Sequence, residues 1–234
     1  GKINLQDAII ESSNTFFLSL AYKSEIEKLI KHLSYFGFGR NVCLDCFLPD
    51  NGLLPNPAWK MNTLNFGWFK GDTVNLGVGQ GYMSATPLQL AYYSAFIANK
   101  GALNKFSFVQ DDKTLPKDIF YSSNIDDKDW EKIHKCMMGV IEEHKGTAGR
   151  LRELKDYIIA AKSGTVELVS TDTKEDYKII REEEAKSDHA IIVAFGPMPN
   201  PTYAVSVVIE NGESGGSVAG PVAIEVLNSL LDYE

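Results

Sequence analysis

The stretch whose reading decides the fold is "YIIAAKSGTVEL", residues 157–168. Its first half is apolar and partly β-branched, which favours a strand. Two further runs of the same kind follow: "HAIIVAFGP", residues 189–197, and "TYAVSVVIE", residues 202–210. The "MPNP" between them, residues 198–201, reads as a hairpin connection. Continuous apolar strands imply a sheet covered on both faces. Pro221 to Leu231 then reads as a last amphipathic helix.

Upstream of Tyr157 the period changes to that of helices. Residues 3–36 read as mostly helical, with a break around "ESSNTFF", residues 11–17, and an end at the glycine-rich "YFGFGR". Residues 40–80 read as loop-rich, with Pro49, Pro55 and Pro57. Thr86-Pro87 starts a helix as N-cap and first position, and Lys100-Gly101 ends it. Residues 103–123 are irregular and polar. Asp126-Asp127 should cap a helix with Trp130, Ile133, Met137 and Ile141 on one face, closed by Lys145-Gly146. The expected class is α+β, an antiparallel sheet covered by helices plus a helical subdomain. One domain is expected, with residues 1–156 its helical and loop part and 157–234 its sheet and terminal helix. The charged stretch at 170–187 reads as a long flexible loop overhanging the sheet, either a substrate lid or a solvated excursion.

Composition excludes several functions. The chain has 234 residues, 44% of them hydrophobic and 11% aromatic, enough for a sizeable core. Its formal charge of −8, with no basic cluster, argues against nucleic acid as a partner. No apolar run is long enough to span a bilayer, and no secretory signal opens the sequence. Cys43 and Cys46 are at most half of a zinc site, with no matching second pair, so they read as a structural pair, free or locally bridged. Cys136, beside Ile133, Met137 and Val140, reads as a small core residue. Gly77, Gly79 and Gly81 are spaced two apart and do not match a dinucleotide fingerprint. No metal and no cofactor is expected.

The chemistry concentrates in residues 160–168. A lysine on a buried strand is costly unless its charge has a partner or a task. Gly164 removes a side chain that would block a ligand lying along the strand. Ser163 and Thr165 alternate with it and can share a side; with the Lys162 ammonium they would form a receptor for a carboxylate. The bland alternative is an edge strand with a snorkelling lysine. A second stretch, Ser12-Ser13-Asn14, puts a hydroxyl and an amide on one side of a turn, as a helix cap also would.

Ser12-Ser13-Asn14 followed by Lys162-Ser163-Gly164-Thr165 matches, in order, two of the three motifs of penicillin-binding proteins and class A β-lactamases. With "FGFG", "WFKGDTVNLGVGQGYMSATPLQLA" and "GTA" at 146–148, the chain resembles, over nearly its whole length, the transpeptidase domain of class B penicillin-binding proteins of the elongation type (penicillin-binding protein 2). The resemblance implies a D,D-transpeptidase that cross-links stem peptides ending in D-Ala-D-Ala through a serine acyl-enzyme, and that β-lactams inhibit. It implies that Ser12 relays a proton toward the leaving group, that Asn14 bonds the substrate amide, and that Lys162 holds a positive field and steers Ser12. Ser163 and Thr165 would hold the terminal carboxylate, Gly164 would leave room for the peptide, and the Thr165 N–H would be half of an oxyanion hole. The third motif has Ser163 where the family has threonine, which keeps the hydroxyl.

One departure is larger. No lysine of the sequence has a serine three residues before it; the nearest look-alike, Thr114-Leu-Pro-Lys117, has threonine and follows Ser12. The nucleophile motif is therefore expected upstream, and the chain is expected to be the C-terminal part of its domain, inactive alone. Its strands and last helix should present an apolar face to the N-terminal remainder. The resemblance further implies a membrane anchor in the inner membrane, a periplasmic catalytic domain, and a glycan polymerase and a rod-shape scaffold protein as partners. Two other classes stay open: a β-lactam-sensing or β-lactam-hydrolysing relative, and a non-catalytic interaction module on the same fold.

Overall fold

A computed structural model describes residues 2–46, 50–109, 121–122, 124–167 and 187–233. The first three helices are α1 (Leu5–Ile10), α2 (Asn14–Lys23) and α3 (Ile26–Tyr35). The Asn4 side chain starts α1 by accepting from Asp7 N at 2.8 Å. The break between α1 and α2 falls at residues 11–13, inside "ESSNTFF".

The region expected as loop holds two short helices, α4 (Pro57–Leu64) and α5 (Lys70–Leu76). Caps hold them, not apolar periodicity. The Asn56 side chain accepts from Trp59 N at 2.9 Å, with Pro57 at the first position. Asp72 accepts from Phe69 N at 2.7 Å and pairs with the buried Lys60 ammonium at 2.6 Å. Gly77 lets α5 meet α2, since a Cβ there would lie 2.2 Å from that of Ala21.

Helix α6 (Pro87–Ala98) begins as expected. Thr86 Oγ1 accepts from Gln89 N at 3.2 Å, and Gln89 Oε1 accepts from Thr86 N at 3.0 Å. Gln89 is fully buried, and its amide lies 3.0, 3.0 and 2.6 Å from the carbonyls of Gly37, Arg40 and Asn51. One side chain thus ties the 37–51 loops to α6. Two short strands, β1 (Ala102–Leu103) and β2 (Tyr121–Ser122), pair within the segment expected to be irregular. Helix α7 (Asp127–Glu142) follows. Asp126 occupies its N-cap but makes no side-chain cap bond; its carboxylate pairs with Lys128 at 3.2 Å instead.

The main sheet has the order β3 (Ala160–Val166), β4 (His189–Gly196), β5 (Tyr203–Ile209), antiparallel throughout, and α8 (Gly220–Leu231) ends the fold. Strand β3 starts later than the sequence pattern suggests, because the Ile158 carbonyl accepts from Met198 N at 2.8 Å in the turn after β4. In register, Lys162 stands opposite Val193, Ser163 opposite Ile192 and Gly164 opposite Ile191. One face carries Ala161, Ile192 and Ala194 against Val140 of α7 and Ala223 and Leu227 of α8. The other carries Ala160 and Phe195 against Tyr92 and Phe96 of α6 and Met137 of α7. The sheet is covered on both sides, and the α+β class holds.

Cys43 and Cys46 are joined as a disulfide, the bridged form of the structural pair, and Cys136 is a free, buried thiol. Among the described residues no group of His, Cys, Asp and Glu could hold a metal ion, and no helix is long and apolar enough to cross a membrane. Strand β5 has no strand neighbour beyond β4 among the described residues. Val218, Val222, Val226 and Leu230, four residues apart, form an exposed apolar ridge along α8 and its approach. The charged stretch 170–187, apart from Ser187, lies outside the described residues, as does Thr114–Lys117.

Candidate active site

The turn between α1 and α2 carries Ser12 in a left-handed conformation, φ +55°. A non-glycine residue there costs on the order of 1–3 kcal/mol and persists only where its surroundings impose it. Ser13 N donates to Ala8 O at 2.9 Å and Thr147 N to Ile10 O at 3.3 Å, and both Ala8 and Ile10 are fully buried. Lys145, just after α7, pairs with Asp7 and, at 3.6 Å, with Glu11. The turn is therefore anchored on the end of α7, which itself packs on β3.

Lys162 projects from β3 to that turn. Its ammonium donates to Ser12 Oγ at 2.7 Å and to the Ser163 carbonyl at 2.8 Å. Among the described residues it has no carboxylate partner. Burial without a counter-charge pushes its pKa down to about 8. A perturbed lysine facing a hydroxyl in a cleft is a mark of a functional site.

The two hydroxyls of the third motif do not share a face with this ammonium. Ala160 packs on the α6 side and Ala161 on the α8 side, so alternation sends Lys162 one way and Ser163 and Thr165 the other. Strand period forbids the single-sided receptor inferred from the sequence. The arrangement still converges, because among the described residues β3 has no strand neighbour besides β4, and its groups flank that edge. Ser163 Oγ lies 2.7 Å from Thr147 Oγ1, and Thr165 Oγ1 donates to the Glu213 carbonyl at 3.4 Å. Ser12, Asn14, Ser163, Gly164 and Thr165 line one cleft of about 710 Å³.

The glycines around the cleft differ in purpose. A Cβ on Gly164 would meet only Ile191, at 3.7 Å, which is ordinary contact; packing does not demand glycine there. A Cβ on Gly215 would fall 2.1 Å from Ile191 O, and one on Gly216 2.4 Å from Thr147 O. Those two let a π-helical turn, Gly215–Ala219, press against β3 and the Thr147 loop and close one cleft wall.

Sequence reasoning assigned no role to Thr147, Asn75, Gln80 or Gly215, which also line the cleft. "GTA" and "GVGQG" were visible as family stretches, but the hydroxyl pairing of Thr147 with Ser163 depends on how the loop after α7 docks.

A ligand would find the hydroxyls of Ser12, Thr147, Ser163 and Thr165 and the Asn14 amide in the cleft, with the Glu167 carboxylate also in its lining and the Lys162 ammonium behind Ser12. No serine in the sequence has the lysine three residues on that would make it the family's nucleophile.

This fold and cleft define a class. The family model described as penicillin binding protein transpeptidase domain matches residues 1–228, and the chain belongs to that family. Among curated relatives, the peptidoglycan D,D-transpeptidase MrdA of Acinetobacter baumannii is 36% identical over 245 residues, covering 100% of this chain and 34% of that protein. MrdA of Escherichia coli K12 is 31% identical over 240 residues, covering 100% of this chain and 37% of the relative. The chain thus spans a little over a third of the length of these relatives. Among solved structures, Pseudomonas aeruginosa PBP2 in complex with WCK 5153 superposes with a TM-score of 0.84 at 38% identity, covering 98% of this chain and 49% of that one. Helicobacter pylori PBP2, solved in complex with MreC, also gives 0.84, at 29% identity, over 100% of this chain and 41% of that one.

Proposed function

We propose that this chain is the C-terminal portion of the transpeptidase domain of an elongation-type peptidoglycan D,D-transpeptidase. Its cleft takes the D-Ala-D-Ala end of a stem peptide. The peptide runs along the free edge of β3, where Gly164 leaves room, and the Asn14 side chain bonds its amide. Ser163 and Thr165 hold the terminal carboxylate, and the Thr165 N–H supplies half of an oxyanion hole. The attacking serine comes from a Ser-x-x-Lys segment outside residues 1–234. When the acylated intermediate forms, Ser12 passes a proton to the departing D-alanine, and the Lys162 ammonium orients the Ser12 hydroxyl and stabilises the developing negative charge. A second stem's amine then resolves the acyl-enzyme.

The observation that carries this reading is the contact between Lys162 and Ser12, two motif residues from opposite ends of the chain, at a cleft that Ser12, Asn14, Ser163, Gly164 and Thr165 line. The free edge of β5 and the apolar ridge on α8 support the view that another segment of the domain covers them, since such surfaces are seldom left bare. The likeness to the Helicobacter pylori protein solved with MreC supports a partner of that rod-shape scaffold kind. A glycan polymerase partner, an inner-membrane anchor and a periplasmic position belong to the same proposal.

The test is titration of the full-length protein with fluorescent penicillin. A stable stoichiometric adduct is expected. Fast turnover would make the protein a β-lactamase, and no adduct would make it a binding scaffold.

A further inference from the structure

A second pocket of about 330 Å³ adjoins the cleft and shares Thr147 and Gly216 with it. Its other lining includes His144, Arg150, Arg152 and Ser217, and no carboxylate. The chain as a whole has eight more acidic than basic side chains, so a carboxylate-free pocket holding two arginines is a local inversion of charge. Arg152 is fixed in place: its Nη2 donates to the Ile141 carbonyl at 3.0 Å and the Glu143 carbonyl at 3.3 Å, capping the end of α7. Arg150 and His144 form no hydrogen bond or ion pair among the described residues. The pocket therefore offers a planar guanidinium with its donors unspent, a rigid second one and a hydroxyl, one hydroxyl relay away from the catalytic strand.

We propose that this pocket is a second carboxylate subsite, which takes a side-chain or α-carboxylate of an acidic peptide substrate while Ser163 and Thr165 hold the reacting end. Guanidinium matches carboxylate in a bidentate fork, and such charge-assisted bonds are about twice as strong as neutral ones. His144 adds a ring N–H to the same lining. The inference rests on the transpeptidase reading and adds a selectivity to it: acidic stems over amidated ones.

The chemistry fits a carboxylate on either the donor peptide or the acceptor, and the experiment separates the two. In the full-length protein, D-alanine release and transfer to an acceptor amine are measured with synthetic stem peptides whose acidic residue, upstream of the D-Ala-D-Ala end, is free or amidated, on donor and acceptor in turn. The expected wild-type preference for the free acid is about tenfold in kcat/KM, the size of one charge-assisted hydrogen bond. Arg150→Ala should bring that acid-to-amide ratio close to one, and Arg150→Lys should keep part of it. A preference visible in D-alanine release places the carboxylate on the donor; one visible only in transfer places it on the acceptor. A wild-type ratio near one, or an Arg150→Ala variant that loses rate equally on acid and amide, overturns the subsite. A full-length protein that penicillin does not acylate would instead sink the transpeptidase reading, and this subsite with it.

Discussion

The Lys162 ammonium and the Ser12 hydroxyl meet at 2.7 Å although 150 positions separate them in the chain. Ser12 reaches that meeting only by adopting a left-handed backbone, and Lys162 only by burying its ammonium without a counter-charge. Both residues cost stability where they stand, and that cost sits at the site of the proposed chemistry.

Replacing Lys162 therefore should trade activity for stability. Lys162→Met is expected to slow penicillin acylation of the full-length protein by about 10²–10⁴-fold, the range of a lost acid–base group. The same variant should melt higher at pH 7. The sign follows from the direction of the shift. The folded-state pKa is lowered to about 8, below the unfolded value, so folding carries a penalty at pH below 8 that fades as pH rises toward the unfolded pKa of about 10.4. The Tm advantage of Lys162→Met should accordingly shrink between pH 8 and pH 10. Melting curves at both ends of that window check it.

The pH profile of acylation follows from the same group. If the charged lysine orients Ser12, the rate should fall as pH rises through about 8. Lys162→Arg should keep whatever activity it retains flat across that range, because arginine does not titrate there. A wild-type rate that rises through pH 8 would show the neutral amine to be the active form.

At Ser12 the backbone and side chain can be separated. Ser12→Gly should relieve the strain at φ +55° and stabilise the fold relative to Ser12→Ala by about 1 kcal/mol. Both variants should be equally impaired in acylation, since both lack the hydroxyl. Denaturant unfolding together with acylation kinetics reads the two effects apart.

The glycines around β3 offer a sharper contrast. Gly164→Ala meets only Ile191 at ordinary distance, so its stability should stay within about 0.5 kcal/mol of wild type, as for a tolerated substitution. Its kcat/KM for peptide should nevertheless drop roughly tenfold, a Cβ's worth of obstruction along the strand edge. Gly215→Ala would push a Cβ to 2.1 Å from a carbonyl oxygen and should cost about 1–3 kcal/mol or more of folding stability.

Breaking the Lys60–Asp72 pair tests the cap that holds α4 and α5 beside the cleft. The two side chains are 5% and 13% exposed, and the Lys60 ammonium also lies 4.8 Å from the centre of the Phe69 ring. Lys60→Ala leaves a buried carboxylate unpaired and should cost about 3–5 kcal/mol. Lys60→Met with Asp72→Asn together should recover much of that in chemical denaturation.

What the sequence told, and what it withheld, divides along physical lines. The three strands of the sheet, α6 with its Thr86 cap and Pro87 start, and the break that carries Ser12 were legible because period and cap chemistry are local. Helices α4 and α5 were not, since seven or eight residues held by single side-chain caps leave little apolar pattern. The motifs named the site residues, and strand period could have told that Lys162 and Ser163 point to opposite faces. That Ser163 lines the cleft while Lys162 reaches Ser12 depends on β3 having, among the described residues, no strand neighbour besides β4, which only the pairing of distant strands decides. Thr147 was hidden for the same reason: its partner is set by how the loop after α7 docks on the strand.

The central claim is that this chain supplies the binding and proton-relay walls of a transpeptidase cleft whose nucleophile lies outside residues 1–234. Intact-mass spectrometry after incubation with a β-lactam tests it most directly, on the 234-residue chain alone and on the full-length protein. The account predicts no adduct on the chain alone, and a single adduct on the full-length protein that peptide mapping places outside these residues. A stoichiometric adduct on Ser12, or on any other residue of this chain, would contradict it.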